Sequence, residues 1–382
     1  MVLTCFTWIL HLFKKITGDP EDDGATATGV EDLPTTFLGQ GNRINKKWRM
    51  LTSLSHYREH SRDRQLILSY VGANEGSRIA ILDGKSEKEC KMRELKALSF
   101  ARIINCHNGL VLLTSPYPVH RHIVVNPLSN KIVTRISPLF WGGYPCGIFF
   151  HPLAKEYRVL NVQKLMTNYY EYHLYLFGTK TWRKTNTPYF NSGPPDCYDS
   201  KQLLNCNPVI ANGALHWYIG KIMIMIFDMI TEGFCVKPLP FSGCYRNKAY
   251  WLGDLLVDED RLCCFFMRYP EPVMDVWISE DYAKWSWTRK YIVNMDWDTI
   301  EYPLEVGSVV APYILTHVRA VSIHKDELVL FWSNRGLFSY HLGFNTIEKI
   351  YFRKFKDIDS FVSSRYGSMC CFMAYTATTN DF

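Results

Sequence analysis

The chain has 382 residues, of which 47% are hydrophobic and 15% aromatic, which is enough apolar side chain to bury a large core. Its formal net charge of +6 comes from scattered Lys and Arg, and this mild excess does not predict a nucleic-acid-binding protein. The twelve cysteines include no Cys-x-x-Cys pair, and many stand in apolar runs. This pattern favours reduced thiols in the cytoplasm or nucleus over a disulfide framework.

The first 30 residues are predicted to be a leader followed by a disordered linker. The apolar run 1–13 precedes Lys14 and Lys15, whereas a signal peptide carries its positive charge before the apolar run. A run of this length is also too short to span a membrane, so membrane association is not expected. Residues 18–31 are rich in acids and Gly, which is typical of a linker.

Residues 31–64 are predicted to form a short helical segment. Trp48 and Leu51 stand at helical spacing within it. The part from 43 to 64 is rich in Lys and Arg. A solvated helix face explains this charge better than a basic docking patch, although both interpretations stay open.

From residue 65 to 376 the pattern changes to short apolar strands between polar or Gly turns, which predicts a mostly β domain. The stretch 207–240 shows the unit most clearly. Asn212-Gly213 predicts a tight turn, because both residues tolerate a positive φ. Residues 223–227 are an apolar run that favours a buried strand, and 230–232 would turn the chain back.

This unit recurs along the chain at intervals of about fifty residues, which is typical of a kelch-like β-propeller. The turn positions that mark the copies are Asp83, Asn126, Gly178, Asp228, Glu280 and Gly343. They predict about six blades. Because an open ring would leave strand edges unpaired, the candidate strands at 361–362 and 369–375 are expected to pair with the first repeat. A β-sandwich with chance recurrence of hairpins is the alternative fold.

No motif predicts a catalytic, metal or cofactor site. Gly84-Lys85-Ser86 lacks the first glycine of a phosphate loop. His120 and His122 would lie on one strand face, but two ligands are too few for zinc, so an exposed structural pair is expected.

Two other groups of residues are interpreted as structural. Asp258, Glu259 and Asp260 stand at a hairpin turn, where carboxylates are usually solvated. Six tryptophans are expected to fill space between sheets and not to form a ligand cage: Trp217, Trp251, Trp277, Trp285, Trp287 and Trp332.

Several phrases of the β region, taken together, resemble plant F-box associated domains over residues 66–375. They are Cys-His-Asn-Gly-Leu-Val-Leu-Leu from 106, Asn-Pro-Leu-Ser-Asn-Lys from 126, Gly-Ala-Leu-His-Trp from 213, Ile-Phe-Asp from 226, Pro-Leu-Pro from 238, and Asp-Val-Trp-Ile-Ser-Glu-Asp-Tyr from 275 followed by Trp-Ser-Trp from 285. The resemblance implies a non-catalytic substrate-recognition subunit of a cullin-RING (SCF-type) ubiquitin ligase. In such a subunit an F-box binds a Skp-family adaptor, and through it cullin, while the β domain binds a protein substrate. The substrate-binding residues are unknown.

The resemblance places a degenerate F-box in the helical segment. Leu33 and Pro34 match its opening, while Trp48 and Leu51 match its end, and these four are the expected adaptor-binding residues. The segment between them is shorter than in the family and contains two glycines, which are poor helix formers. Adaptor binding is therefore expected to be weak or absent. A stand-alone protein-binding propeller and a kelch-like enzyme are the alternative functions.

Overall fold

The computed structural model describes residues 64–71, 77–83, 102–114, 122–139 (apart from 128, 130 and 138), 143–166, 169–185, 207–219, 223–240, 249–269, 273–295, 318–332 (apart from 325), 336–350 and 371–376. The described residues form 23 strands and no helix. The strands are arranged in six antiparallel sheets that follow one another around a ring. The all-β propeller architecture expected from the repeats is confirmed.

Five of the sheets are complete four-stranded blades, each built from consecutive strands. The first contains β3 (Arg102–His107), β4 (Leu110–Thr114), β5 (His122–Asn126) and β6 (Lys131–Ile136). The second contains β7 (Gly143–His151), β8 (Glu156–Met166), β9 (Tyr169–Leu176) and β10 (Thr181–Lys184). The third contains β11 (Val209–Ala211), β12 (Ala214–Ile219), β13 (Met223–Asp228) and β14 (Phe234–Pro238). The fourth contains β15 (Ala249–Asp258), β16 (Arg261–Tyr269), β17 (Val273–Asp281) and β18 (Ser286–Asn294). The fifth contains β19 (Val318–His324), β20 (Glu327–Trp332), β21 (Gly336–His341) and β22 (Thr346–Ile350).

The remaining sheet has three described strands and joins the two ends of the domain. Its order is β2-β1-β23, with β1 (Arg64–Val71) between β2 (Ser77–Asp83) and β23 (Cys371–Thr376). The expected pairing of the run at 369–375 with the first repeat is confirmed, while residues 361–362 lie outside the described part of the chain. We call this three-stranded unit the closing sheet.

The expectation of about six blades is wrong, because the described residues form five complete blades. The expected number came from counting turn positions, which assumes that each turn belongs to one blade of four consecutive strands. The turn at Asp83 instead ends β2 of the closing sheet, whose third strand comes from the far end of the chain.

Contacts between neighbouring sheets run through the first strand of each blade, which lies innermost. β3 contacts β7, β11 contacts β15, and β15 contacts β19. β23 takes the inner position in the closing sheet, where it contacts both β19 and β3. The ring is thus completed by a strand from the C-terminal end of the domain.

The turns between the first and second strands of the blades use residues that tolerate a left-handed backbone. Asn212 and Gly213 have φ values of 49° and 76°, which confirms the tight turn expected there. Asn108-Gly109 is the equivalent turn two blades earlier, and Glu259-Asp260 is the equivalent in the next blade. The short turns fix the register of the inner hairpins.

A second kind of turn links the third and fourth strands. Lys180, Glu232, Trp285 and Asn345 take the left-handed position at its end. The side chain at its start accepts backbone N–H bonds. Asp228 accepts them from Ile230 and Thr231, Asp281 from Ala283 and Lys284, and His341 from Gly343 and Phe344. The polar side chain at the start of the turn thus caps it.

The core lies between the blades. Between the second and third blades, Phe149, Tyr172, Leu215, Trp217 and Phe227 are almost wholly buried together. Trp217 also donates its indole N–H to the carbonyl of Cys146 at 3.1 Å, so the only polar group of this buried side chain has a hydrogen-bond partner. Trp217 and Trp332 are buried, while Trp277, Trp285 and Trp287 pack partly buried against the core, as expected of space-filling residues.

Bulges in the inner strands are a feature that the sequence pattern does not predict. The pairing register shifts between Ile103 and Asn105 in β3, and between Pro145 and Gly147 in β7. At this point Asn105 donates to the carbonyl of Ile148 at 2.9 Å and accepts from its N–H at 2.8 Å. The bulged strands are therefore joined to each other by buried hydrogen bonds.

Candidate protein-recognition surface

The ring has two faces that differ in how the strands are connected. The turns after the first and third strands of each blade lie on one face, which we call the hairpin face. Contacts between these turns support the assignment, since Asn212 donates to the carbonyl of Asp260 in the next blade at 3.3 Å. The connections between successive blades begin and end at the opposite face, which we call the loop face.

The hairpin face is built from short turns whose polar groups bond to each other. Glu156 accepts from the N–H of Gly178 at 3.0 Å and pairs with Arg158 at 2.8 Å. Arg158 and Arg183 also pair with Glu232 of the next blade. Because these groups have partners within the fold, they join neighbouring blades and are not available to a ligand.

The loop face receives the long connections of the chain. They are residues 185–208, 239–248, 295–317 and 351–370. One of them contains a stretch rich in Pro and Gly at 186–199, and residues 186–206 and 296–317 lie outside the described residues. Long connections on a rigid β scaffold are where binding residues usually occur, so the loop face is the candidate recognition surface.

Two polar contacts join the inner strands of different blades close to the loop face. Arg102 opens β3 and bonds through a guanidinium nitrogen to the side-chain oxygen of Asn207, just before β11, at 3.4 Å. The blade from β7 to β10 separates these two in the ring, so their contact links two blades that are not neighbours.

The second contact joins the fourth and fifth blades. Asp254 accepts from Arg319 at 2.7 Å and 3.1 Å, and from the N–H of Ala320 at 2.9 Å. Asp254 is buried and Arg319 is nearly so. A buried carboxylate that accepts three hydrogen bonds has a fixed position. It therefore holds the inner strands β15 and β19 together below the loop face.

Ion pairs also lie on the outer strands near the loop face. Glu171 pairs with Lys184, and the neighbouring His173 has its pKa lowered by burial. Asp275 is buried and lies 3.1 Å from Arg268 and 3.7 Å from Arg289. These pairs stabilise the scaffold and do not form a nucleophile–base arrangement.

The four residues expected to bind the adaptor, Leu33, Pro34, Trp48 and Leu51, lie outside the described residues. The structure does place the point where their segment joins the domain. β1 is antiparallel to the inner strand β23, and β23 follows a connection at the loop face. β1 therefore starts at the hairpin face, and the segment ending at residue 63 joins the propeller there.

Two expectations about polar residues need correction. His122 is buried and bonds to the Thr114 hydroxyl at 3.0 Å, so it is not an exposed residue, while His120 lies outside the described part. Asp258 is also buried and pairs with Arg261, although Glu259 and Asp260 are exposed at the turn as expected. Within the described ranges, no three His, Cys, Asp or Glu side chains come together as a metal site would require.

Sequence reasoning missed Asn105, Asp254 and Arg319 as the residues that join the inner strands. The signal that could have found them is a polar residue inside an otherwise apolar strand.

In the part of the chain that the structure describes, no helix is long and apolar enough to cross a membrane.

Two solved structures are similar to this chain at low identity, and a family model matches its sequence. The β-propeller domain of Cps50 (Swd1) from Myceliophteria thermophila has 11% identity and a TM-score of 0.41, covering 75% of this chain and 85% of its own. TolB from Acinetobacter baumannii has 12% identity and a TM-score of 0.42, covering 78% and 66%. No curated protein matches the sequence. A family model described as "F-box associated beta propeller domain" matches residues 60–374.

Proposed function

The chain belongs to the family of F-box associated β-propeller domains, and on this premise we propose that it is the substrate-recognition subunit of a cullin-RING (SCF-type) ubiquitin ligase. One observation carries the proposal. The segment before Arg64 joins the ring at the hairpin face, whereas the connections between blades lie at the loop face. The attachment point of the segment that would bind an adaptor and the surface that would bind a substrate are therefore on opposite faces of the ring.

This separation suits a protein that holds two partners at once. A Skp-family adaptor bound to the segment 31–64 would lie toward the hairpin face and bring cullin to that side. The loop face then stays open for a protein substrate. The inner strands beneath it are fixed by the Asn105–Ile148 and Asp254–Arg319 contacts, so a bound substrate meets a preorganised scaffold.

We assign no catalytic step to this chain, because transfer of ubiquitin would be performed by its partners. The ionisable groups described above are engaged in structural pairs, which agrees with this assignment. The expected compartment is the cytoplasm or nucleus. None of the cysteines whose side chains the structure describes forms a disulfide, as suits a reducing compartment. They are Cys106, Cys146, Cys235, Cys263 and Cys264.

The test is affinity purification of the full chain after mild cross-linking in cells, so that a weakly bound adaptor is retained. A variant with residues 186–206 replaced by a Gly/Ser linker of equal length removes one long loop-face connection. Phe344→Ser alters an exposed side chain of the hairpin face and is the matched control. We expect the cross-linking to retain a weakly bound adaptor, and cullin with it, in all three samples, and substrate to be lost only with the linker variant.

The ligase function would be refuted by a specific result. If substrates were recovered in a manner dependent on residues 186–206 but neither adaptor nor cullin accompanied them, the chain would be a stand-alone binding propeller.

A further inference from the structure

We propose that a basic and apolar patch at the outer edge of the two blades that follow the closing sheet, extending from the hairpin face along β6, binds the chain's own acidic segment at residues 19–32. The patch consists of Lys131, Ile132, Arg135, Leu153, Lys155 and Lys180. These side chains come from the outer strand β6 and from the two hairpin-face turns of the next blade. We refer to them as the blade-edge patch.

The composition of the patch is unusual for this surface. All four cations are exposed, and Leu153 and Ile132 are 59% and 39% exposed. Among the described residues, only two other large apolar side chains, Ile292 and Phe344, are this exposed. Apolar side chains next to unpaired cations are typical of a binding surface for an acidic segment with apolar residues.

The patch cations differ from their neighbours in having no anion of their own. Arg183 and Lys184 of the adjoining strand β10 each have one, since Arg183 pairs with Glu232 and Lys184 with Glu171. Within the described part of the chain, Lys131, Arg135, Lys155 and Lys180 form no ion pair or side-chain hydrogen bond. Their charge therefore remains available to an incoming carboxylate.

The parts of the patch are held together by buried contacts beneath it. Val133 of β6 packs in one cluster with Phe150 and Phe177, which flank the turns carrying Lys155 and Lys180. Trp182, two residues after Lys180, donates to the carbonyl of Ser137 just past the end of β6 at 3.1 Å. Because the supporting residues are fixed, the cations are presented by a rigid surface.

The sequence supplies one segment with the complementary charge. Residues 19–32 contain six acids, and the chain from 16 to 42 has no Lys or Arg. Leu33 follows directly and provides an apolar side chain. No other part of the chain of similar length combines this many acids with no cation, so charge complementarity favours this occupant.

Connectivity also favours the chain's own segment over a separate acidic protein. β1 starts at the hairpin face, in the sheet whose strand β23 contacts β3 of the blade that carries β6. The residues from 33 to 63 would span about 30 Å even as a flexible coil, which is enough to reach a neighbouring blade. A tether of this kind raises the local concentration to the order of millimolar, so weak individual contacts suffice.

The consequence for regulation rests on the proposed function. Leu33 and Pro34, which are expected to bind the adaptor, directly follow the acidic segment. A segment bound to the blade-edge patch would hold them against the propeller and oppose adaptor binding. The binding itself does not depend on an adaptor and can be tested without one.

The experiment is zero-length carbodiimide cross-linking of the full-length monomer, followed by mass spectrometry. This reagent joins a Lys amine to a carboxylate only when the two are in contact. We expect the carboxylates of residues 19–32 to be joined mainly to Lys131, Lys155 and Lys180. Mixing isotopically labelled and unlabelled chains distinguishes links within one chain from links between chains. In about 0.5 M NaCl, where the screening length is only about 4 Å, the links should weaken strongly.

A pair of variants with equal charge change provides the control. K155E/K180E reverses two patch cations, and Glu is tolerated in this backbone, since Glu232 and Glu259 have positive φ as Lys155 and Lys180 do. K284E/K290E makes the same change on another blade. We expect the first variant to reduce the links from residues 19–32 to Lys131 about fivefold and the second to leave them unchanged. Thermal unfolding confirms that both variants are folded.

Three results would overturn the proposal. They are links spread evenly over Lys284, Lys290 and the patch, links found only between chains, and an equal loss in both variants. If the links form as expected but adaptor affinity is the same in K155E/K180E and wild type, the patch binds the segment and the regulatory consequence is wrong. If no adaptor binds any variant, only the proposed function is affected.

Discussion

Arg64 and Thr376 are paired in the antiparallel ladder of the closing sheet, although they stand near opposite ends of the domain. The ladder continues through Leu66–Ala374 to Ser69–Cys371. One strand from the C-terminal end thus completes a sheet whose other strands begin the domain. This arrangement removes the unpaired edges that an open ring would expose at its two ends.

The closure predicts that removing β23 destabilises the whole ring. Deleting residues 371–382 leaves β1 without its inner partner and removes the strand that contacts β3 and β19. We expect a lower melting temperature and aggregation, measured by thermal unfolding and size-exclusion chromatography. Deleting only residues 377–382 is the control, because it keeps the ladder. A soluble, equally stable protein lacking 371–382 would disprove the role of this strand.

The buried bonds of Asn105 predict a large effect from a small substitution. In Asn105→Leu the volume is similar, but the N–H and carbonyl of Ile148 lose their partners. Leaving buried polar groups unsatisfied costs about 1–3 kcal/mol each, so we expect a loss of about 2–5 kcal/mol in unfolding free energy. Urea unfolding measures this value. Thr288→Val at an exposed position of β18 is the comparison, and an equal loss in both variants would contradict the prediction.

The sequence predicts the strands and turns well because both depend on local chemistry. Asn212-Gly213 forms a tight turn because of its φ preference, and the apolar run at 223–227 is buried because it is apolar on both faces. These signals lie within a few residues and need no knowledge of the rest of the fold.

The blade count and the scaffold contacts depend on residues far apart in the chain. Asp83 looks like any other repeat turn, yet its sheet is completed by residues 371–376. Asn105 and Asp254 bond to neighbouring blades, and nothing in their local pattern names Ile148 or Arg319 as the partner. A bulge likewise adds one residue without changing the composition that marks a strand. Of the candidate site, the sequence shows the Pro/Gly-rich stretch at 186–199 but not the face on which the connections begin and end.

The environment of His216 predicts that the protein loses stability in acid. The ring is wholly buried and lies 2.7 Å from the Tyr282 hydroxyl of the next blade. Burial lowers the pKa of His216 from 6.5 to about 4. The unfolded chain therefore takes up a proton at a higher pH than the folded chain. The stabilisation is fully present above about pH 6.5 and falls as pH decreases toward 4, by up to roughly 3 kcal/mol.

Urea unfolding at several pH values measures this dependence. We expect His216→Gln to reduce the loss of stability between pH 6.5 and 4. Trp217→Phe perturbs the same strand without a titrating group, so it should lower stability by a similar amount at each pH. Burial also lowers the pKa of His151 and His173, so part of the acid sensitivity should remain. An unchanged slope in His216→Gln would show that His216 does not contribute.

The last prediction is that the full chain binds a Skp-family adaptor weakly or not at all. An F-box binds its adaptor through apolar helix faces in a groove, so affinity depends on the number of buried apolar side chains. The segment supplies few of them: Leu33, Phe37, Leu38, Ile44, Trp48 and Leu51. Each missing apolar contact costs about 1–3 kcal/mol, so the loss of several lowers affinity by orders of magnitude.

Calorimetric titration of the full chain with the adaptor measures this affinity. The basic residues between 43 and 64 could attract an acidic adaptor surface, but exposed charge pairs contribute little each. We therefore expect a dissociation constant well above the micromolar range. Leu33→Ala and Trp48→Ala identify the residues responsible for any binding that is seen, and Thr52→Ala is a control within the same segment. A sub-micromolar constant that is lost in both of the first two variants would show that the shortened segment still binds the adaptor and that the prediction is wrong.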